Sequence, residues 1–219
     1  MIFCIRLGLV LTLVLTLPSF TQASLQVGDT IRFFNGPGSL GGEFGVAKLP
    51  DANTKLFITF CLERNEFIDF HRKGFVIDSI TQAAEAGGVA GGSPDPISAE
   101  TAWLYYSFVT GTLLHYDGSA TRANMLQHAI WRLEDETYNV GQSMEYYALA
   151  EAADANEKAE ALERVRVLNI SWATDRHDFS KGERAQSLLY AIPEASTMVV
   201  WGVLSQLGLA AYRRRSQRN

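Results

Sequence analysis

The folded part of this chain is short of positive charge. Residues 24–194 carry all 24 acidic side chains but 14 of the 19 basic ones, a net of −10. The other five bases are Arg6 near the start and Arg213, Arg214, Arg215 and Arg218 at the end. An acidic body with basic tips excludes a nucleic-acid binder, whose bases must lie on the fold. Metal-site spacing is missing too. His71, His115, His128 and His177 have neither an i, i+4 partner nor cysteine company, so no zinc site is expected. Asp175 to Glu183 offers oxygen ligands without calcium-loop spacing and reads as a polar turn. There is no Gly-x-Ser-x-Gly elbow and no phosphate-cradling loop before a helix. Nothing in the sequence calls for a cofactor. Asn169-Ile170-Ser171 matches a glycosylation sequon but falls in an expected strand.

What is present suffices for one packed domain. The chain has 219 residues, 47% of them hydrophobic, 11% aromatic and 20% charged. Its ends read differently from its middle. Arg6 precedes an apolar run from Leu7 to Leu17, then Pro18 and a small residue at Ala23. This is the layout of a secretory signal peptide over 1–23, with the mature chain starting near Ser24. The run of 11 is too short to span a bilayer, which takes about 20 apolar residues. At the other end, Ala195 to Tyr212 is mostly apolar and runs straight into Arg213-Arg214-Arg215. Length and flanking charge predict a transmembrane helix whose arginine stop stays in the cytoplasm.

Immediately before that span stands Ile192-Pro193-Glu194-Ala195-Ser196. The order of Pro-Glu, apolar helix, arginine cluster and chain terminus resembles the PEP-CTERM sorting signal of exported bacterial proteins. The usual motif is Pro-Glu-Pro, and Ala195 stands in its third position. Over 192–219 the resemblance implies export in a Gram-negative bacterium and transient anchoring in the inner membrane. It further implies processing by an exosortase-type peptidase and delivery to the envelope or extracellular matrix.

Within the body, Thr30 to Phe34, Leu56 to Cys61 and Phe75 to Ile80 read as strands, and Gly87 to Pro96, with four glycines and two prolines, as a flexible loop. A helix should begin near Ser98 and carry Ala102, Trp103, Tyr105, Tyr106 and Val109. A second should begin near Ser119 or Thr121 and run through Leu133, its apolar stripe made by Met125, Leu126, Ala129, Ile130 and Leu133. Gln127 falls at the edge of that stripe. Ser143 to Val167 reads as one long helix or two short ones, and Val167–Trp172 and Ser187–Ala191 as closing strands. Strands flanking a helical block, without strand–helix alternation, give the class α+β. The expected architecture for 24–191 is a small antiparallel β-sandwich or barrel-like sheet with an inserted helical block, plus the C-terminal transmembrane helix.

Once Cys4 leaves with the signal peptide, Cys61 is alone. An odd cysteine in an exported body is either a small buried hydrophobe or a reactive group. Two segments bear on that choice: Phe60-Cys61-Leu62-Glu63, and Leu126-Gln127-His128-Ala129-Ile130-Trp131 with Ala102-Trp103-Leu104-Tyr105 between them. Together they resemble the thioester domains of bacterial surface proteins. The resemblance, over roughly 56–134, implies that Cys61 is the thiol and Gln127 the acyl donor of an internal cross-link. Attack of Sγ on the Gln127 carboxamide with loss of ammonia would leave an electrophile able to acylate an amine or hydroxyl. That requires two side chains 66 positions apart to be held at near-attack distance and shielded from water. Trp103, Tyr105, Tyr106 and Trp131 are suited to such a shield. His128 is a candidate proton shuttle that points about 100° away from Gln127, and Glu63 and Glu134 are candidate polar neighbours.

Three functions follow. One is covalent capture of a surface or matrix partner in adhesion, with no enzymatic turnover. Another is a structural envelope or matrix protein of the same fold without a reactive bond. The last is an extracellular cysteine-dependent hydrolase or transferase, for which no local protease signature is present.

Overall fold

The computed structural model describes residues 24–39, 42–70, 74–137, 141, 144–174 and 181–193. The expected signal peptide (1–23), His71, residues 175–180 of the expected polar turn with His177, and the sorting segment from Glu194 onward all lie outside the described residues, while the last three residues of that turn, Lys181 to Glu183, open a strand instead. Among the described residues no helix is long and apolar enough to cross a membrane; the expected span at 195–212 is not among them.

The class is α+β. In chain order the elements are β1 (Thr30–Asn35), β2 (Gly42–Lys48), β3 (Phe57–Phe60), β4 (Phe75–Thr81), β5 (Ala83–Ala84) and β6 (Asp95–Pro96). Among the described residues four helices follow, α1 (Ala99–Val109), α2 (Ala120–Leu133), α3 (Met144–Ala152) and α4 (Ala155–Arg164), and then β7 (Val165–Ala173) and β8 (Lys181–Ala191). Six strands form one antiparallel sheet in the order β3-β2-β1-β4-β7-β8, while β5 and β6 make a two-residue ladder at the base of the glycine-rich loop.

The sheet curls until its two edges touch. Cys61, just past β3, bridges Leu188 of β8 antiparallel. The Leu62 N–H donates to the Ser187 carbonyl at 2.9 Å, and the Thr59 hydroxyl donates to the Leu189 carbonyl at 2.6 Å. Cys61 therefore sits on the seam of the curled sheet, where backbone groups of an edge strand would otherwise face outward unpaired.

Local signals account for most elements. In β1 the inward residues Ile31 and Phe33 alternate with less buried neighbours, as a half-buried strand requires. Each of the two longer helices starts on a serine whose hydroxyl accepts a backbone N–H three residues on: Ser98 from Thr101, and Ser119 from Arg122. The stretch expected as one or two helices is two, broken at Asp154, whose carboxylate accepts the Asn156 N–H at 2.8 Å. Its last residues, from Val165, already belong to β7. The strand expected to include Leu56 and Cys61 is shorter, Phe57–Phe60, because its ladder with β2 ends where Gly42 opposes Phe60. β2 was not expected at all. Six of its seven residues are buried, so the polar–apolar alternation that betrays a strand is missing, and its two glycines read as breakers.

The buried side chains form two clusters. One gathers Phe60, Leu104, Tyr105, Leu126 and Ile130 between the helices and β3. The other gathers Phe33, Phe44, Phe75, Cys61, Trp131 and Leu188 inside the curl of the sheet. The successive residues Phe60 and Cys61 belong to different clusters, as do Leu126 and Trp131 of α2. The junction of β3 and α2 is where the two cores meet.

Candidate functional site

At that junction the structure brings Cys61 and Gln127 together. The Gln127 amide Nε2 donates to the Cys61 carbonyl at 2.8 Å, and the Cys61 N–H donates to Gln127 Oε1 at 3.0 Å. The reason lies in the sheet. In an antiparallel bridge of this kind the Cys61 N–H and C=O point away from Leu188 and need another partner. The Gln127 carboxamide takes that role, meeting both groups from the flank of α2. Buried backbone polar groups need such partners, and a buried primary amide supplies a donor and an acceptor in one plane. Gln127 is fully buried (0% exposed) rather than at the edge of the apolar stripe, and Cys61 is 4% exposed. Gly42 makes the approach possible. A Cβ there would fall 2.2 Å from a Phe60 ring carbon and 2.9 Å from Gln127 Oε1.

Gln186 of β8 lines the same cleft as Cys61. Burial pushes the Cys61 thiol far above its ordinary range. The negative charge of Glu66 adds to this, and the Gln186 contact opposes it. Gln186 is itself a hub. Its Nε2 donates to the carbonyls of Glu63 (2.9 Å) and Glu66 (2.7 Å), and its Oε1 accepts the N–H groups of Glu63 (3.3 Å) and Ser187 (3.1 Å). It ties the loop after Cys61 to β8.

A cleft of about 530 Å³ opens onto Cys61, walled by Phe44, Phe67, Phe70, Trp131, Arg64, Glu66 and Gln186 among others. Phe67 is 72% exposed at its mouth. The buried Trp131 Nε1–H has no hydrogen-bond partner among the described residues, which leaves a donor unused in a residue that lines the cleft.

The shield residues separate. Trp131 lines the cleft. Tyr105 lies behind β3, its hydroxyl donating to the Ile58 carbonyl at 2.7 Å and its ring edge-on to Phe60. Trp103 and Tyr106 are not part of the cleft. They line a second groove between α1 and α4, where the Trp103 indole N–H donates to Glu157 at 3.2 Å. Helical geometry explains the split, since Trp103 and Tyr106 are three apart and share a face that Tyr105 leaves. His128 is half-buried with its ring edge-on to Trp131, and burial and the charge of Arg64 hold it below the ordinary histidine range. Glu134 is turned to the start of α1, accepting from the Ser98 N–H (3.1 Å) and hydroxyl (2.6 Å).

Glu63 is next to the site but faces away from the cleft, toward Glu136 and the glycine-rich loop. A Cβ on Gly88 would lie 1.9 Å from Glu63 Oε2 and 2.3 Å from Glu136 Oε2, so the two carboxyl groups converge on this glycine. Glu136 accepts the N–H groups of Arg64 (2.7 Å) and Val89 (2.6 Å). Burial, then the charge of Glu136, push the Glu63 carboxyl up to about 8. Among the described residues no group of three or more His, Cys, Asp and Glu is placed to hold a metal ion.

The sequence pointed to Cys61, Gln127 and Trp131. It gave no sign of Gln186, Glu66 or Glu136, which are ordinary polar residues until the fold brings β8 and the end of α2 to the cleft. No family model, curated protein or solved structure matches the chain.

Proposed function

We propose that this chain is an exported envelope or extracellular-matrix protein whose Cys61 and Gln127 form an internal thioester that captures an amine- or hydroxyl-bearing partner. One observation carries the reading: across 66 positions of sequence, the Gln127 carboxamide is hydrogen-bonded at both ends to the Cys61 backbone in a buried seam. The Cys61 N–H already polarises the Gln127 carbonyl, and it would stabilise the oxyanion that forms when sulfur adds to Cδ. Burial limits hydrolysis of the bond, and the cleft gives a partner's nucleophile a route to it. The curled sheet fits the barrel-like arrangement expected around such a pair. Export by the 1–23 signal, anchoring through 195–212 and exosortase-type processing near Pro193-Glu194 rest on the sequence pattern and belong to the same proposal.

A second reading has an observation of its own. Both ends of the Gln127 amide already have partners on the Cys61 backbone, as in a non-covalent clamp that only closes the fold of a structural matrix protein. Amine reactivity separates the two. Under the thioester reading, methylamine adds to Gln127 and releases a thiol that alkylates. Under the clamp reading, methylamine leaves the mass unchanged.

A further inference from the structure

Resting on the thioester reading, we propose that Glu66 is the proton acceptor for bond formation and the proton carrier for its aminolysis. A buried thiol contains almost no thiolate, so sulfur becomes a nucleophile only if a base in reach takes its proton. The walls of the cleft decide which base. Among the described residues that line it, Glu66 is the one carboxylate, and Arg64 is a cation that cannot serve. Glu63 is turned to Gly88 and Glu136, and His128 is not part of the cleft wall.

Glu66 is also fixed in place. Its Oε2 accepts the Ser187 N–H at 2.8 Å, one residue before the Leu188 that bridges Cys61, and its carbonyl accepts from Gln186 Nε2 at 2.7 Å. The groups acting on its charge are Arg184 and the Ser187 N–H and hydroxyl on β8 and Glu136 after α2, and its own charge in turn raises the Cys61 thiol. Burial outweighs the favourable contacts and raises its carboxyl above the ordinary range, closer to the operating pH where a general base works best.

The step balances without an oxidant. Glu66 takes the Sγ proton as the Sγ–Cδ bond forms, and the proton passes to the departing Nε2 as the Cδ–Nε2 bond breaks and ammonia leaves. In the reverse sense Glu66 takes a proton from an incoming amine while N–Cδ forms, and returns it to sulfur as Cδ–Sγ breaks.

The test uses the full chain with Glu66→Gln and Glu66→Asp, with circular dichroism as the check on folding. The expected result is at least tenfold slower ammonia loss and methylamine addition in Glu66→Gln, loss of the acid-side inflection in the pH–rate profile, and partial recovery in Glu66→Asp. Wild-type rates and an unchanged profile in Glu66→Gln would overturn the proposal. A second comparison does not need the thioester. In a Gln127→Ala background, removing the Glu66 charge should ease ionisation of the Cys61 thiol, so iodoacetamide should alkylate Cys61 faster with Gln than with Glu at position 66, and equal rates would place the carboxylate out of reach of sulfur and overturn the proposal. If the wild-type chain never loses ammonia, the thioester reading falls and the alkylation comparison alone decides the role of Glu66.

Discussion

Glu63 ionises near pH 8 because its carboxyl is buried against a second one, and this has a sign that can be worked out. The unfolded chain releases the Glu63 proton near the ordinary value of 4.5, whereas the folded chain keeps it to about 8. Between these values the native state binds the extra proton, so this group's stabilisation is full below about 4.5 and is lost as pH rises through about 8. The expected decline is at most about 1.4 kcal/mol per pH unit, the value for one proton. Urea unfolding between pH 5 and 8 should show this slope in the wild-type chain, and Glu63→Gln should flatten it. A wild-type slope unchanged by the substitution would mean that Glu63 is ionised in the fold. Gly88→Ala acts on the same pair, since its Cβ would collide with both carboxyl groups. It should destabilise the protein by about 1–3 kcal/mol, as overpacking does, with a matching drop in the urea midpoint. At this scale the sequence was informative about Cys61 and Gln127, whose types and neighbours carry a recognisable pattern. It was silent about Gln186, Glu66 and Glu136, because a polar residue acquires its role only from what the fold sets beside it.

Among the elements, α2 does most to position the site, since it carries Gln127 and Trp131 one turn apart. Its start depends on Ser119, whose hydroxyl accepts the Arg122 N–H at 3.2 Å. Ser119→Ala should cost about 1 kcal/mol, the usual loss of an N-cap, measurable as a lower thermal midpoint. If α2 frays as a result, methylamine should add to Gln127 faster in the variant. Both long helices were legible from a serine ahead of an apolar stripe. β2 was not, because a strand buried on both faces has no period-two signature, and its glycines, which the packing against Lys55 and Gln127 demands, look like turn residues in sequence. The site depends on that unforeseen strand, for Gly42 admits Gln127 Oε1 where a Cβ would fall 2.9 Å from it.

For the whole molecule, the central question is whether the seam between the curled sheet and the helical block is covalent. A Cys61–Gln127 bond would close a loop of 66 residues and constrain the unfolded chain, which by chain entropy is worth at most about 4 kcal/mol. Cys61→Ser removes the bond while sparing the backbone pairing to Gln127, so the variant should still fold, with a loss inside that bound. The α+β class and the location of the pair at a strand–helix junction could be read from sequence; the contact between the sheet's two edges could not, since it depends on curvature. The most direct measurement is the intact mass of freshly purified, folded protein. A Cys61–Gln127 thioester gives a mass one ammonia below that of the processed sequence, restored to the full sequence mass in Cys61→Ser and in Gln127→Ala. A wild-type mass equal to the uncyclised sequence, with a Cys61 thiol that titrates fully on unfolding, would contradict it.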